Sequence, residues 1–458
     1  MLIYIAYELA LRQEGFKIIS KFAFEENIPA AAVVHVDVQT PFNFQQNGEN
    51  TVSKPNSEKF QWCPSDDEHE MPDCDLLFDG KNTSEVRRAA RWRPPCSYTD
   101  DEIAQIARNC TDMKVRFNFP GTFFHEEDSI FPLAFTFLTE KEAEQTVRLL
   151  SAIYQPQNAY CLTYDLDSGP VFAKAMESVV KCFPENIWTP KVKRNIFWGD
   201  ISILDASMDC LNVLIEHRSV RAWKYVQILS WNDVPLRTNL EMVKILKLFD
   251  GANDVELVTG DASRWRHHHI NGKDALDLGV RPVPPNGLVV YKGSFAGTLS
   301  RDFVQYLLTD SNAKMFFEYV RSMWGPEEQY WSTMVHNIHL NQPGGFPGTC
   351  LDYHTLEKSK KSWISRYQTW VHLDGPCLGH FTRGSCVFGV GDLARLKKQP
   401  ELVAHKFHLD FQPAALYCLH KDLFTRSQKC IVNLNMTYYE DLPAVRYQHM
   451  MNKSDFTC

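Results

Sequence analysis

Two adjacent carboxylates precede an aromatic run in the segment GPEEQYW, residues 325–331. They belong to Glu327 and Glu328. A positioned carboxylate can take the proton from an attacking hydroxyl, and aromatic faces suit the C–H surfaces of sugars. The alternative is a pair of solvated glutamates at the start of a helix. Without further information this alternative is the better interpretation, so the pair is only a candidate for general-base chemistry on a sugar.

Acidic residues also follow two strand-like segments. Asp165 closes AYCLTYD at 159–165, and Asp167 comes two residues later, whereas Asp233 lies just beyond WKYVQILSW at 223–231. Ligands in open α/β sheets bind outside the carboxyl ends of the strands. These acids are therefore candidates for a ligand site.

Three consecutive histidines at 267–269 resemble a metal site only superficially. Consecutive side chains point in different directions on a helix or a strand, so they cannot close on one ion. We expect a solvated loop there and no zinc. The chain also contains neither GxGxxG nor GxxxxGKS, so a dinucleotide fingerprint and a P-loop are absent from the sequence.

Strand-like and helix-like segments alternate between residues 131 and 249. The strand-like runs are FPLAFTFLT (131–139), AYCLTYD and WKYVQILSW. The helix-like segments are KEAEQTVRLLSAIY (141–154), VFAKAMESVVKCF (171–183), ISILDASMDCLNVLIEHR (201–218) and NLEMVKILKLF (239–249). This alternation predicts parallel βαβ units and an α/β fold.

The composition narrows the class of protein. The 458 residues carry 48 Lys+Arg and 56 Asp+Glu, a net charge of −8, which argues against a nucleic-acid partner. With 44% hydrophobic and 23% charged residues, global disorder and a coiled coil are excluded. Glu8 and Arg12 interrupt the first apolar run, so we expect neither a signal peptide nor a membrane anchor there.

Three regions are expected along the chain. Residues 40–72 are rich in Pro, Asn and acidic residues, which is typical of an exposed linker. We therefore expect an N-terminal segment and stem at 1–72 and a small subdomain at 73–128, with a helix at 100–108. The main α/β domain is expected at 129–458.

Several stretches resemble the core 2 and I-branching family of β-1,6-N-acetylglucosaminyltransferases. They are LLSAIYQPQNAYCLTYD at 149–165, MDCLNVL at 208–214, WKYVQILSWNDVPLRTNLEMVKILK at 223–247, GPEEQYWSTM at 325–334 and GSCVFGVGDL at 384–393 followed by AHKF at 404–407. The resemblance is collinear from about Cys74 to Leu423. It implies a GT-A type, Rossmann-like domain in a Golgi type II membrane protein. It also implies UDP-N-acetylglucosamine as donor and a glycan acceptor, GalNAc or Gal, on a glycoprotein; a homodimer is left open.

The resemblance assigns the catalytic base to Glu328. It implies that Arg383 and Lys406 hold the pyrophosphate in place of a metal ion. A guanidinium offers bidentate donors to phosphate oxygens, whereas an ammonium acts as a point charge. We therefore expect no cofactor and no required metal.

The uridine end of the donor is assigned by the resemblance to Asp165. Two departures accompany this assignment. Asp167 completes an Asp-x-Asp motif, which holds a metal in many GT-A enzymes, and Thr163 stands where the family has a histidine. We place Asp167 in the loop.

For the acceptor sugar, the resemblance points to Glu256, Arg264, Tyr367 and Trp370. The loop between Glu256 and Arg264 is shorter than in the family, and the family's lysine has no counterpart. Glu256 as a plain surface acid, and Tyr367 and Trp370 as core residues, remain the alternatives.

Thirteen singly scattered cysteines indicate an oxidising compartment. The resemblance implies the bridges Cys74–Cys418, Cys110–Cys182, Cys161–Cys210 and Cys377–Cys386. It gives no partners for Cys63, Cys96, Cys350, Cys430 and Cys458. Glycosylation sequons at Asn82, Asn109, Asn435 and Asn452 agree with a secretory-pathway chain.

Three function classes follow, and a branching N-acetylglucosaminyltransferase acting on O-glycans leads them. A peptide xylosyltransferase-like enzyme, also inverting, is the alternative because the acceptor loop is short. A non-catalytic glycan-binding relative ranks last, since Glu328, Arg383 and Lys406 are all present.

Overall fold

A six-stranded sheet in the order β3-β2-β1-β4-β7-β6 lies at the centre of the computed structural model of the chain. The structure describes residues 59–64, 71–122, 125–217, 223–258, 282–348, 363–371 and 375–456. The strands of this sheet are β1 (Leu133–Thr139), β2 (Ala159–Tyr164), β3 (Ile187–Trp188), β4 (Tyr225–Ser230), β6 (Asp254–Val255) and β7 (Gly297–Ser300). A second sheet, in the order β5-β11-β8, and a hairpin accompany it. Their strands are β5 (Asp233–Pro235), β8 (Arg366–Gln368), β9 (His380–Thr382), β10 (Ser385–Val387) and β11 (Val403–His405).

The central sheet is mainly parallel. Strand β1 pairs in parallel with β2 on one side and β4 on the other, and β2 pairs in parallel with β3. Strand β7 runs antiparallel to both β4 and β6. The α/β prediction is confirmed. Because the chain leaves β1 towards β2 and later returns to the other side of β1, the topological switch point lies between β1 and β4.

Helices cover the sheet and continue towards both ends of the described chain. They are α1 (Cys74–Asp79), α2 (Thr83–Arg91), α3 (Asp100–Ile106), α4 (Cys110–Arg116), α5 (Glu126–Ile130), α6 (Ala143–Ile153), α7 (Pro170–Lys181), α8 (Ile201–Glu216), α9 (Asn239–Phe249), α10 (Arg301–Thr309), α11 (Ser311–Val320), α12 (Pro326–His336), α13 (Leu393–Leu396), α14 (Ala414–Lys429), α15 (Met436–Glu440) and α16 (Pro443–His449). Of the described residues, none lie in a helix long and apolar enough to cross a membrane.

Helix α9 starts and ends where the sequence pattern predicts. Thr238 accepts a hydrogen bond from the backbone N–H of Glu241 at 3.2 Å, and the Glu241 carboxylate accepts one from the N–H of Thr238 at 2.9 Å. This capping box satisfies two backbone donors at the helix start. Helix α3 has the same device at Thr99 and Glu102, but it ends at Ile106, before the predicted residue 108.

Apolar side chains of β1 fill two separate cores. Phe135 and Phe137 belong to the cluster on one face of the sheet, whereas Ala134 belongs to the cluster on the other. Successive side chains of a strand point to opposite faces. The nearly unbroken apolar run at 131–139 is therefore explained by burial on both faces, as expected for a central parallel strand.

The four bridges implied by the resemblance are all present: Cys74–Cys418, Cys110–Cys182, Cys161–Cys210 and Cys377–Cys386. A fifth bridge joins Cys63 to Cys96, two residues for which the resemblance implies no partner. Cys430 is a free, exposed thiol. Cys350 and Cys458 lie outside the described residues.

Residues 59–64, in the segment expected to be a stem, belong to the same compact unit as the main domain. Trp62 and Cys63 are each 1% exposed, although they fall in the segment expected to be a stem. The Arg148 guanidinium lies 3.6 Å from the ring centre of Trp62, so part of this segment packs against the domain. Residues 1–58 lie outside the described residues.

We expect the Cys63→Ser/Cys96→Ser double variant to lose about 2–4 kcal/mol of unfolding free energy, because the bridge closes a loop of 33 residues in the unfolded chain. Denaturant titration of the secreted protein measures this change. Cys430→Ser is the matched control and should alter the free energy by less than about 0.5 kcal/mol. Equal stability of the double variant and the control would show that the bridge does not form.

Candidate active site

A tight hairpin presents Arg383. Arg383 and Gly384 connect β9 to β10 with φ angles of 51° and 77°. Two-residue hairpin loops with positive φ at both positions match the twist of the flanking strands. The Cys377–Cys386 bridge and the backbone pairing of Trp370 with Ser385 hold this hairpin against the rest of the domain. The exposed Arg383 side chain therefore projects from a fixed turn.

Lys406 approaches the same hairpin from the end of β11. Its side chain is largely buried, and its Nζ donates to the carbonyl oxygen of Thr382 at 2.9 Å. Burial, and then the charge of Arg383, lower the pKa of Lys406 from its ordinary value. The two cations are thus close enough to repel each other. A bound anion would relieve this repulsion, as a pyrophosphate site requires.

Asp165 lies at the carboxyl end of β2. Its Oδ1 accepts hydrogen bonds from the backbone N–H groups of Ile196 at 2.9 Å and Asp167 at 3.1 Å. Asp167 thus contributes a backbone donor, and its own side chain is exposed. Thr163 is 6% exposed within the strand. Of the described residues, none form a group of three or more His, Cys, Asp or Glu side chains that could hold a metal ion.

The two adjacent glutamates of helix α12 have different surroundings. Gly325 caps the helix with a φ of 62°, and Pro326 occupies the first turn. Glu327 is 5% exposed, whereas the Glu328 side chain is 28% exposed and lies 3.5 Å from the Nζ of Lys292. Glu328 is therefore the more accessible of the two, which supports its assignment as the base.

A short loop segment links Asp165 to the start of helix α12. The N–H of Ile196 donates to Asp165, and the carbonyl of Gly199 accepts from the N–H of Gly325 at 2.9 Å. The candidate donor-binding carboxylate and the helix that carries Glu328 are thus tied together through backbone contacts.

Glu256 lies directly after β6 and beside helix α12. Its carbonyl oxygen accepts a hydrogen bond from the Ser332 hydroxyl at 2.5 Å. Two residues later, the N–H of Val258 donates to the carbonyl of Lys292 at 2.6 Å. Glu256 is therefore next to the segment whose lysine contacts Glu328. Sequence reasoning missed Lys292 because its proximity to Glu328 arises from the pairing of segments that are distant in sequence. No local motif marks this lysine.

The remaining acceptor candidates separate into three cases. Tyr367 is 8% exposed and stacks on Phe388, with 5.8 Å between the ring centres, which favours the core alternative for this residue. Trp370 is 38% exposed and lies beside Gly384 of the hairpin turn. Arg264 lies outside the described residues, as do the histidines at 267–269.

Asp233 is completely buried and does not face a ligand. His405 Nδ1 lies 2.9 Å from its Oδ1, and Arg366 Nη1 lies 3.8 Å from the same oxygen. Burial opposes ionisation of Asp233, but Arg366 and the hydrogen bond with His405 outweigh it and lower its pKa. Burial and Arg366 lower the pKa of His405 to about 4. The network joins β5 to β11 and so fixes the strand that precedes Lys406.

Comparison with known proteins agrees with this arrangement. The family model described as Core-2/I-Branching enzyme matches residues 133–397, from the first residue of β1 to just beyond α13. Human N-acetyllactosaminide beta-1,6-N-acetylglucosaminyl-transferase is 32% identical over 360 residues, which cover 76% of this chain and 83% of the relative. Mouse beta-1,3-galactosyl-O-glycosyl-glycoprotein beta-1,6-N-acetylglucosaminyltransferase 3 is 29% identical over 340 residues, 71% of this chain and 76% of the relative. The chain, with its GT-A-like α/β domain, therefore belongs to the Core-2/I-branching enzyme family.

Proposed function

We propose that the chain is an inverting β-1,6-N-acetylglucosaminyltransferase. It moves N-acetylglucosamine from UDP-N-acetylglucosamine to GalNAc or Gal of an O-glycan and needs no metal ion. Family membership and the activities named for both relatives support the reaction type. The observation that carries the mechanism is the accessible carboxylate of Glu328. Backbone contacts of Ile196 and Gly199 connect the start of its helix to Asp165.

The reaction is a single displacement. The acceptor O6 attacks the anomeric carbon of the donor, the bond from that carbon to the β-phosphate oxygen breaks, and UDP leaves with the bonding electrons. Glu328 takes the proton of the attacking hydroxyl. Inversion follows because the nucleophile and the leaving group occupy opposite faces of the sugar.

The leaving diphosphate gains negative charge as the bond breaks. Arg383 and Lys406 are positioned to stabilise that charge, because hairpin β9-β10 and strand β11 hold them close together. Preorganised cations in a partly buried site stabilise a developing negative charge more strongly than the same cations do in water. In this proposal they do the work that a metal ion does in other GT-A enzymes.

The acceptor would bind between helix α12 and the hairpin. Glu256 can accept hydrogen bonds from sugar hydroxyls, and the exposed ring of Trp370 suits the apolar face of a sugar ring. Arg264 is proposed as a further acceptor ligand, the role that the resemblance implies for it.

A secretory-pathway location belongs to the same proposal. Among the described residues, ten cysteines form five bridges, and disulfides persist in oxidising compartments. Asn109 and Asn452 are exposed at helix starts, where a glycan can be attached. We propose a Golgi enzyme of the type II membrane class.

Substrate choice tests the proposal directly. Among UDP-N-acetylglucosamine, UDP-galactose, UDP-glucose and UDP-xylose offered with Gal-β1,3-GalNAc, only the first should be transferred, and linkage analysis should find β-1,6. Transfer from UDP-xylose to a peptide serine would instead support the xylosyltransferase alternative.

Activity should survive EDTA, because Arg383 and Lys406 supply the positive charge at the diphosphate. The measurement is the initial rate in excess chelator, followed by addition of Mn²⁺. Loss of turnover that Mn²⁺ restores would contradict the proposal and make Asp165 and Asp167 metal ligands.

Glu328→Gln should lower kcat by about 10²- to 10⁴-fold, because the amide keeps the shape but cannot accept the proton. UDP affinity should change little, since the diphosphate is held by other residues. Steady-state kinetics and UDP titration separate the two effects.

Two further variants test the specificity of this effect. Glu318→Gln removes an exposed carboxylate that pairs with Arg321 at 3.0 Å on helix α11, and it should be fully active. Glu327→Gln, at a buried position, tests the register of the assignment. If Glu327→Gln folds but is inactive while Glu328→Gln works, the base has been assigned one residue too late.

A further inference from the structure

Two side chains at the topological switch point have no role in the proposal above. Lys141 lies two residues after β1, and Trp231 directly follows β4. The N–H of Trp231 donates to the carbonyl of Leu138 at 3.0 Å, so the ends of the two strands are joined. In open α/β sheets the ligand lies in the crevice at this switch point. These residues therefore border the place where a nucleotide is expected.

His408 completes a cluster with them. The Nζ of Lys141 lies 4.9 Å from the ring centre of Trp231, and the His408 ring stacks on Trp231 at 5.5 Å with an angle of 19°. We call these three residues the Lys141–Trp231–His408 cluster. Cation–ring and ring–ring contacts of this kind are favourable and orient the side chains.

A buried amide fixes the backbone of the cluster. The Nε2 of Gln145 donates to the carbonyl oxygens of Trp231 at 3.3 Å and Phe407 at 2.9 Å. Its Oε1 accepts from the N–H of Leu409 at 2.7 Å. Helix α6, the end of β4 and the segment after Lys406 are thereby held together.

The sheet order places the cluster along the expected path of the donor. Asp165 ends β2, Lys141 follows β1 and Trp231 follows β4, and these strands are neighbours in that order. His408 follows Lys406 by two residues. A nucleoside diphosphate that extends from Asp165 to Lys406 therefore passes beside Lys141 and His408.

We propose that Lys141 and His408 bind the diphosphate together with Arg383 and Lys406, and that His408 gains a proton when the diphosphate binds. This inference rests on the proposed donor site. Its ligand is the diphosphate of UDP, which every UDP-sugar donor shares.

The charges around His408 explain the proton uptake. Burial first, and then Lys406 and Lys141, lower its pKa to about 4; His380 acts in the same direction and Asp410 opposes it. His408 is therefore neutral near pH 7 when the site is free. The negative charge of a bound diphosphate outweighs the lysines and raises the pKa in the complex.

The direction of the pH effect follows. A pKa that is higher in the complex means that binding takes up a proton, so the contribution of His408 to affinity grows as pH falls through the bound-state pKa. It stops growing below the free-state value of about 4. At alkaline pH the contribution disappears.

Isothermal titration with UDP in buffers of different ionisation enthalpy counts the protons. At pH 5.5 the wild type should take up more protons per UDP than His408→Asn, and the variant should bind about tenfold more weakly; at pH 8 the two should agree within about twofold. The terminal phosphate of free UDP titrates near pH 6 in every sample, so its contribution from free UDP is common to wild type and variant. Equal proton counts for wild type and His408→Asn would overturn the role of His408.

The chain offers matched controls. His217 stacks on Trp188 at 4.3 Å and is exposed, so His217→Asn should behave as wild type. His408→Gln repeats the test with a longer amide, and thermal melts confirm that each variant is folded.

Lys141→Met should weaken UDP binding about tenfold at both pH values, as expected for one lost charge-assisted contact. Lys421→Met removes another lysine that lies over a ring, 5.5 Å from the centre of Tyr417, and should have no effect. Unchanged affinity in Lys141→Met would overturn its role.

Lys406→Met tests the proposed donor site separately from the roles of Lys141 and His408. If it binds UDP as tightly as wild type, the proposed donor site is wrong. If it binds weakly while Lys141→Met and His408→Asn do not, only the further inference is wrong.

Discussion

The parallel pairing of β1 with β2 and β4 determines where the candidate site can form. Because β1 is hydrogen bonded on both sides, its carboxyl end lies between those of its two neighbours. Asp165, Lys141 and Trp231 are brought to one edge of the sheet by this pairing alone. The register is well specified, since Phe135 and Phe137 pack on one face and Ala134 on the other. A slip by one residue would exchange the two faces and bring bulky rings into the wrong core.

A second constraint positions Lys406, which follows strand β11 of the second sheet. The buried Asp233 carboxylate is tolerated because His405, Arg366 and the Ser230 backbone N–H, at 2.7 Å, all satisfy it. A buried charge that lost these partners would be strongly destabilising. The network therefore keeps β11 beside β5, and Lys406 follows as the next residue. The network thereby gives Lys406, the proposed diphosphate ligand, a defined position.

Local pattern was sufficient to predict three of the six strands of the central sheet, β1, β2 and β4. The periodicity at 239–249 predicts the bounds of helix α9, which the structure closes with a capping box at Thr238 and Glu241. The resemblance added the four bridges that it implied, all of which are confirmed. Neither could find the Cys63–Cys96 bridge, Lys292 beside Glu328 or His408 beside Trp231. Each of these contacts joins segments that are far apart in sequence, so no local period or spacing records it.

The same reason explains why sequence could not predict the burial of two candidate residues. The resemblance suggested Tyr367 as an acceptor-stacking ring and left core packing open, and Asp233 follows a strand-like segment. Burial depends on what packs against a strand from elsewhere in the chain: Phe388 covers Tyr367, and Arg366 and His405 enclose Asp233. The glutamate pair shows that exposure can also change between neighbouring positions of one helix. Glu327 is 5% exposed, whereas the side chain of Glu328 is 28% exposed.

Clustered cations favour a reaction in which the leaving group gains negative charge as its bond breaks. In the free protein Arg383 and Lys141 both repel Lys406, and the lowered pKa of Lys406 records burial together with that repulsion. An intact sugar nucleotide relieves part of it, and the departing diphosphate, which gains a further negative charge, relieves more. Interactions that strengthen between ground state and transition state raise kcat, whereas uniform binding does not. In the proposed mechanism, this repulsion therefore favours bond cleavage over tight binding of the unreacted donor.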